Sequence, residues 1–357
     1  MTQKPPQSKK VVKTSFSIFT SYLRLSINID YLGYILLIST LIIGLFIGQS
    51  LNLTESWQAF INGPDSSQGQ QVIMWWVRIP QLFTALLAGA VLSTTGAAMQ
   101  QLLRNDLADP YLLGIAAGGG LGAALALSLD YVEEWGIWFL PLSSFIGAFL
   151  SSIWIEVLAF RQTRLNVVSL LPNPLYLLLS GVALNLFLSS LLTLTLALSD
   201  EQLSGVWRWL IGHISVLSWS SLCLLLCGSG IGIGIILVKA QSLTLLGAGE
   251  EVAWSLGVNI KRTRTYTLLA ISLSVGTVVS FCGIIGFIGL LVPHFIRPRI
   301  PGNSQKLFVL SMIYGAWVLL VCHLLTLVIT PSIPVGVLTG VIGGLVFLLT
   351  LKPTSVN

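Results

Sequence analysis

The sequence predicts an all-α polytopic membrane protein with about ten transmembrane helices, on three observations. Of its 357 residues, 54% are hydrophobic and 9% charged, and the mean hydropathy is +0.88. Soluble chains carry about 25% charged residues, so this one lacks the means to cover a wet surface. Apolar runs recur at 31–48, 82–101, 111–129, 136–160, 175–198, 216–238, 265–283, 285–296, 307–329 and 335–351, where a spanning helix needs roughly 20 such residues. The third observation is the placement of charge. With the N-terminus assigned to the cytoplasm, 16 of the 18 lysines and arginines fall on that side, leaving only Arg78 and Arg208 outside. The positive-inside rule demands such a bias.

Taken in order, residues 1–30 carry Lys4, Lys9, Lys10, Lys13 and Arg24 and read as a cytoplasmic tail. The run from Tyr31 is longer than a signal-peptide core and no small-residue cleavage site follows it, so it is expected to stay as the first span. Residues 31–352 read as a single ten-helix domain, and 353–357 as a short cytoplasmic tail. The segment 285–296 is too short to cross a bilayer at right angles, which leaves its status as a separate span open.

Glycine, with 34 copies, is concentrated in the spans. Gly118 and Gly122 at four-residue spacing predict closely approaching helices. The series Gly283, Gly286, Gly289 before the short segment has two readings: close packing, or a broken helix that exposes backbone at a pore. Gly89 with Gly96 and Gly276 with Gly283 form equally spaced pairs, a faint sign of an inverted repeat.

The absent chemistry is equally informative. Cys223, Cys227, Cys282 and Cys322 lie in apolar runs without a CxxC pair, which argues for packing thiols and against a zinc site. Glu156 is read as snorkelling or pairing with Arg161, and His323 as a packed neutral imidazole without ligand partners. No catalytic constellation, metal site or cofactor is expected, and nothing calls for a nucleic acid. An ion-coupled secondary transporter is the alternative within transport, but it usually needs buried acids. The chain has no Gly-Lys pair and hence no phosphate-cradling loop. Any nucleotide would be bound by another polypeptide.

That polypeptide would dock on the longest cytoplasmic loop, KAQSLTLLGAGEEVAWSLGVNIKRTR from Lys239 to Arg264. Glu250 and Glu251 after Gly249 favour the first turn of a short helix, and Gly257 can end it. Leu243, Leu246, Val252, Leu256 and Val258 supply apolar groups, with Leu245 and Ala253 beside them. Periodicity alone leaves open whether this helix is a docking handle or a plain interfacial link.

Five ordered blocks resemble the FecCD-type permeases of ABC importers for iron-siderophores, haem and cobalamin. They are Arg78-Ile-Pro-Gln-Leu; Gly96-Ala-Ala-Met-Gln100 through Asn105-Asp-Leu-Ala-Asp109-Pro110 to Leu113-Gly114; Leu245-Leu246 with Gly249-Glu250-Glu251 and Ser255-Leu256-Gly257; Gly283-Ile-Ile-Gly286 to Pro293-His294; and Pro334-Val-Gly336-Val-Leu-Thr339. The resemblance covers about residues 30 to 352. It implies a type II importer fold in a bacterial inner membrane, with lipid around it and a second copy or paralogue beside it. A cytoplasmic ATPase dimer and a periplasmic or tethered binding protein would complete the assembly. By that likeness 246–257 is the ATPase-coupling helix, Asn105 and Leu107 lie at the cytoplasmic gate, 201–215 lies at the external gate, and Arg78 docks the binding protein. Relatives usually carry proline where Asp106 stands, a second arginine where Gln81 stands, and an arginine and a glutamate before the last external Leu-Pro. The path itself is expected to be lined by small and hydroxylated side chains such as Ser93, Thr94 and Thr95.

Overall fold

Residues 29–47, 51–64, 69–128, 136, 138–165, 174–198, 210–214, 218–330 and 333–350 are described by the computed structural model, and every regular element among them is helical. The helices are α1 (Ile29–Phe46), α2 (Leu53–Ile61), α3 (Gly69–Leu103), α4 (Ile115–Ser128), α5 (Phe139–Leu165), α6 (Pro174–Ala197) and α7 (Trp219–Val238). Then follow α8 (Ala240–Ala248), α9 (Glu250–Ser255), α10 (Ile260–Cys282), α11 (Ile288–Ile296), α12 (Ser304–Ile329) and α13 (Val335–Thr350). All ten apolar runs coincide with helices. Six, namely α3, α5, α6, α7, α10 and α12, are long and apolar enough to cross a membrane. The terminal tails, most of 201–215 and the side chain of Arg161 lie outside the described residues.

Helix α3 is the central element. Its 35 residues rise about 52 Å, and 78% of its apolar window is buried inside the protein. The segment Ile73–Arg78 is π-helical and runs into Pro80. Proline has no N–H to donate, so the carbonyl of Trp75 is released, and the indole Nε1 of Trp219 donates to it at 3.1 Å. Helices α7, α10, α11 and α12 surround α3. Beyond them, α1 lines α12, while α4 packs between α5 and α6.

Two close crossings set this arrangement. A Cβ on Gly96 would overlap the carbonyl of Gly289, which lets α3 touch α11 backbone to backbone. On α4, Gly118 and Gly122 meet Gly147 and Ser143 of α5 in the same way, the tight packing expected for small residues four apart. The glycine echo has no matching structural role: Gly89 and Gly96 are contact points, whereas Gly276 meets only ordinary neighbours and Gly283 ends a helix at φ 69°.

The short segment is a broken helix. α10 stops at Cys282, residues 283–287 are irregular, and α11 has nine residues, about 14 Å. α10 leaves the end of the bundle where Arg264 meets Glu250, and the irregular stretch with α11 brings the chain back to Arg297 beside Asp106 at that same end, so α11 is a short returning arm rather than a continuation of α10. Ser93, Thr94 and Thr95, expected along a path, are instead fully buried within the bundle. Ser93 packs on Gly315 of α12, and the two threonines donate back to carbonyls of Ala90, Val91 and Leu92 in their own helix. Glu156 on α5 is hydrogen-bonded to Thr265 of α10. Cys282 and Cys322 are buried, as packing thiols would be, but Cys223 and Cys227 face outward from α7.

Because the α3–α11 crossing has only backbone on its far side, Gly96→Ala is expected to cost about 1–3 kcal/mol through overpacking. The check is the thermal midpoint of the detergent-solubilised protein, which should fall for this variant and stay level or rise for Gly340→Ala, where the space is open.

Candidate coupling and gate site

One end of the bundle gathers the basic residues Arg104, Arg264, Arg297, Arg299 and Lys306 around the helices α8 and α9. Leu243 and Leu246 of α8 and Ala253 of α9 face the core, with Leu245 and Val258 packed against it. Thr244 is bonded to the Ser304 hydroxyl at 2.6 Å, and that hydroxyl also contacts Gln101 Oε1 at 2.6 Å. These contacts fix α8 to the starts and ends of α12 and α3.

Helix α9 is shaped by its two glycines. Gly249 takes φ 140°, opening a turn ahead of Glu250 and Glu251. At the far end Gly257 adopts φ 80°, its N–H bonds Trp254 O at 2.9 Å, and Val258 N–H bonds Ala253 O at 2.9 Å. This is a Schellman closure, which satisfies the last carbonyls of the helix.

The two glutamates, equivalent in sequence, are different in space. Glu250 accepts from Arg264 Nη2 at 2.6 Å and from Arg104 Nη2 at 3.4 Å, whereas Glu251 is exposed. Burial of Arg264 sharpens its pair with Glu250, since charge-assisted bonds strengthen where water is excluded. The Glu250 side chain therefore anchors α9 to α10 and to the end of α3. Outward, α9 shows Val252 (43% exposed), Trp254 (76%) and then Leu256 (62%). An apolar face this open, held on a pinned helix and rimmed by charge, suits a protein partner.

The corner after α3 lies beside it. Arg104 closes α3 in the left-handed region, φ 49°, with Asn105 N–H bonding Gln100 O at 3.1 Å. Such a conformation costs a non-glycine residue about 1 kcal/mol. Asn105 Oδ1 accepts from Leu107 N–H at 2.9 Å, and Asn105 O from Ala108 N–H at 3.0 Å, forming a side-chain-supported turn. Leu107 projects from that turn, exposed. Asp109 then caps a short 3₁₀ turn, Pro110–Leu113, accepting from Tyr111 N–H at 2.8 Å. The Tyr111 hydroxyl in turn accepts from Ile285 N–H at 3.3 Å, inside the helix break.

Arg78 belongs to the opposite end. It is only 5% exposed, and its Nη1 donates to Leu45 O at 3.0 Å and Ser56 Oγ at 2.9 Å. The guanidinium ties the end of α1 and the short helix α2 to α3, rather than presenting itself at the surface. Sequence reasoning paired none of Arg104, Arg264, Gln100 and Tyr111 with its partner. The one available signal was a basic residue inside the apolar pattern of α10, at Arg264.

A sequence profile of the FecCD transport family matches residues 35–352. The chain belongs to the FecCD transport family. A Helicobacter pylori strain J99 protein named as an iron chelatin transport system permease is 35% identical to this FecCD chain over 327 residues, covering 89% of this chain and 95% of that one. The hemin transport system permease HmuU of Yersinia pestis is 35% identical, covering 77% and 83%. The Fe(3+) dicitrate permease FecD of Escherichia coli K12 is 31% identical, covering 80% and 87%. Among solved structures, an inward-facing metal-chelate type ABC transporter matches with a TM-score of 0.77 at 27% identity, over 89% of this chain and 97% of that one. This FecCD protein is a multi-pass ABC-transporter permease, and its relatives carry the names of transport subunits rather than of enzymes.

The capping carboxyl of Asp109 offers a pH test. Loss of surrounding water pushes it up to about 6, opposed in part by the Tyr111 N–H bond. A raised value means that the folded chain holds the proton more tightly than the unfolded chain, so the contribution is full below the ordinary 3.8 and is lost as pH rises through about 6. Asp109→Asn keeps the acceptor and removes the titration. Thermal midpoints at about pH 5 and about pH 7 should fall more for the wild type than for this variant.

Proposed function

We propose that this permease imports a metal chelate of the iron-siderophore, haem or cobalamin class, driven by a cytoplasmic ATPase dimer that docks on α8 and α9. The observation that carries this reading is the exposed Val252–Trp254–Leu256 face on a helix whose other side is locked by the Glu250 ion pairs. Force applied to that face passes into α10 and α3 through charge-assisted bonds rather than being absorbed by a loose loop. Leu245, Leu246, Gly249, Glu250, Glu251, Ala253, Leu256 and Gly257 make up the coupling element. Asn105 and Leu107 form the cytoplasmic gate beside it.

The cargo class is supported by the names of the relatives, which specify iron chelatin, hemin and Fe(3+) dicitrate. Residues 31–352 act as one ten-helix unit in a bacterial cytoplasmic membrane, with both termini inside. The clustering of basic side chains at the α8–α9 end supports that orientation. A binding protein docks at the opposite end, on a platform that Arg78 holds in place from beneath. A second copy or a paralogue completes the path, and the outward faces of α6 and α13, rich in exposed leucine and valine, are available to it or to lipid.

The decisive experiment is uptake by the complex containing Glu250→Lys and Glu251→Lys together. Loss of ATP-dependent uptake is expected with unchanged membrane insertion, because Lys at 250 repels Arg104 and Arg264. Unchanged uptake overturns the coupling role. Glu250→Ala alone should account for most of the loss.

A further inference from the structure

The Asn105–Ala108 turn is held on its other side by a contact that the sequence does not announce. Arg297, the residue after α11, donates through Nη1 to Asp106 Oδ1 and through Nη2 to Gln100 Oε1 at 2.9 Å. Gln100 in turn donates through Nε2 to Leu290 O at 3.1 Å, with Gly289 O at 3.5 Å. The Gly289 carbonyl needs this help, because its helical donor would be Pro293, which has no N–H. The broken half-helix α11 is thus fastened at both ends to the termination of α3. At its start the Gly96 crossing holds it, and at its finish Arg297 does.

Two successive charges flank Asn105 and point to different elements. Arg104 reaches Glu250 on α9, and Asp106 reaches Arg297 after α11. Asp106 occupies the second position of the turn that the Ala108 N–H to Asn105 O bond closes. Its carboxylate is more than half exposed and Arg297 is only a quarter exposed, so the pair sits at a water boundary: on opening, Asp106 returns to water while Arg297 keeps its bond to Gln100.

We infer that Asp106 is a positioning residue of the transport cycle: its ion pair with Arg297 is a reversible clasp that holds the broken helix α11 against the gate corner until α9 moves. This rests on the permease reading of α9 and of the corner. The clasp is broken when Glu250 drags Arg104, because the two charges are separated by one residue and cannot follow different elements independently. Its strength is that of a partly exposed pair, enough to bias the gate but not to lock it.

The test uses the complete transporter, with its ATPase and permease partner, in proteoliposomes. Asp106→Asn and the conservative Asp106→Glu are compared with wild type by amide hydrogen exchange over residues 288–300 and by ATP hydrolysis without binding protein. For Asp106→Asn, exchange near the end of α11 and idle hydrolysis should both rise about twofold to fivefold. Asp106→Glu, whose carboxylate still reaches Arg297, should stay near wild type. A merely local structural role moves the exchange but leaves idle hydrolysis level, and that result overturns the inference. So does Asp106→Asn matching wild type in both measurements, or Asp106→Glu matching Asp106→Asn. A wild-type permease that fails to regulate its ATPase at all sinks the coupling reading instead, and the exchange comparison still judges the Asp106–Arg297 clasp on its own.

Discussion

In lipid, a backbone group without a partner has no water to turn to, and the break between α10 and α11 creates several such groups at once. Each is met by a specific element. His213 N–H covers Cys282 O at 3.0 Å, the Tyr111 hydroxyl covers Ile285 N–H, and Gln100 Nε2 reaches Gly289 O, the carbonyl that Pro293 leaves without a helical donor, at 3.5 Å. Gly336 N–H bonds Gly212 O at 3.0 Å to seat the start of α13 on the same spot. The loop at 210–214, the 3₁₀ turn after α3 and the start of α13 are where they are because the break must be sealed. Among the described residues, these three irregular segments answer that one requirement.

The extent to which the molecule is legible from its sequence follows the same division. Runs of apolar residues and the sidedness of charge are one-dimensional properties, and the ten helices appear where those properties place them. The start and stop of α9 were readable, since acids after Gly249 and a closing Gly257 are local chemistry, but the single helix expected over 246–257 is divided at Gly249, and 246–248 belong to α8. Pairings across the fold were not readable. Glu250 and Glu251 are indistinguishable as letters, and only the return of α10 places Arg264 beside the first and not the second. Ser93, Thr94 and Thr95 suggested a polar path, but a helix buried on all sides has no preferred face to read. Their hydroxyls bond their own helix and disappear into packing. The burial of Arg78 was equally hidden, because the two elements that fold over it, the end of α1 and α2, are brought there by the fold and not by neighbouring residues.

The two ends of the molecule use charge in opposite ways. At the α8–α9 end, Arg104 with Glu250 and Arg297 with Asp106 form pairs that water can still reach and that can be made and broken, while the shorter Arg264–Glu250 pair is shielded. At the other end, the Arg78 guanidinium meets a carbonyl and a hydroxyl. A full charge held by neutral dipoles in a closed site has no exchange partner, so it serves as a fixed rivet.

The crossings along α3 extend this contrast to the whole bundle. Where backbone touches backbone at Gly96 there is no side chain to change rotamer, and packed interiors switch between discrete arrangements rather than deform smoothly. Helix α3 therefore resembles an axle: it can turn or shift as a piece, but it has no slack with which to bend. Motion needed to admit a bulky cargo must be taken up at the perimeter, by helices whose outer sides touch only soft surroundings.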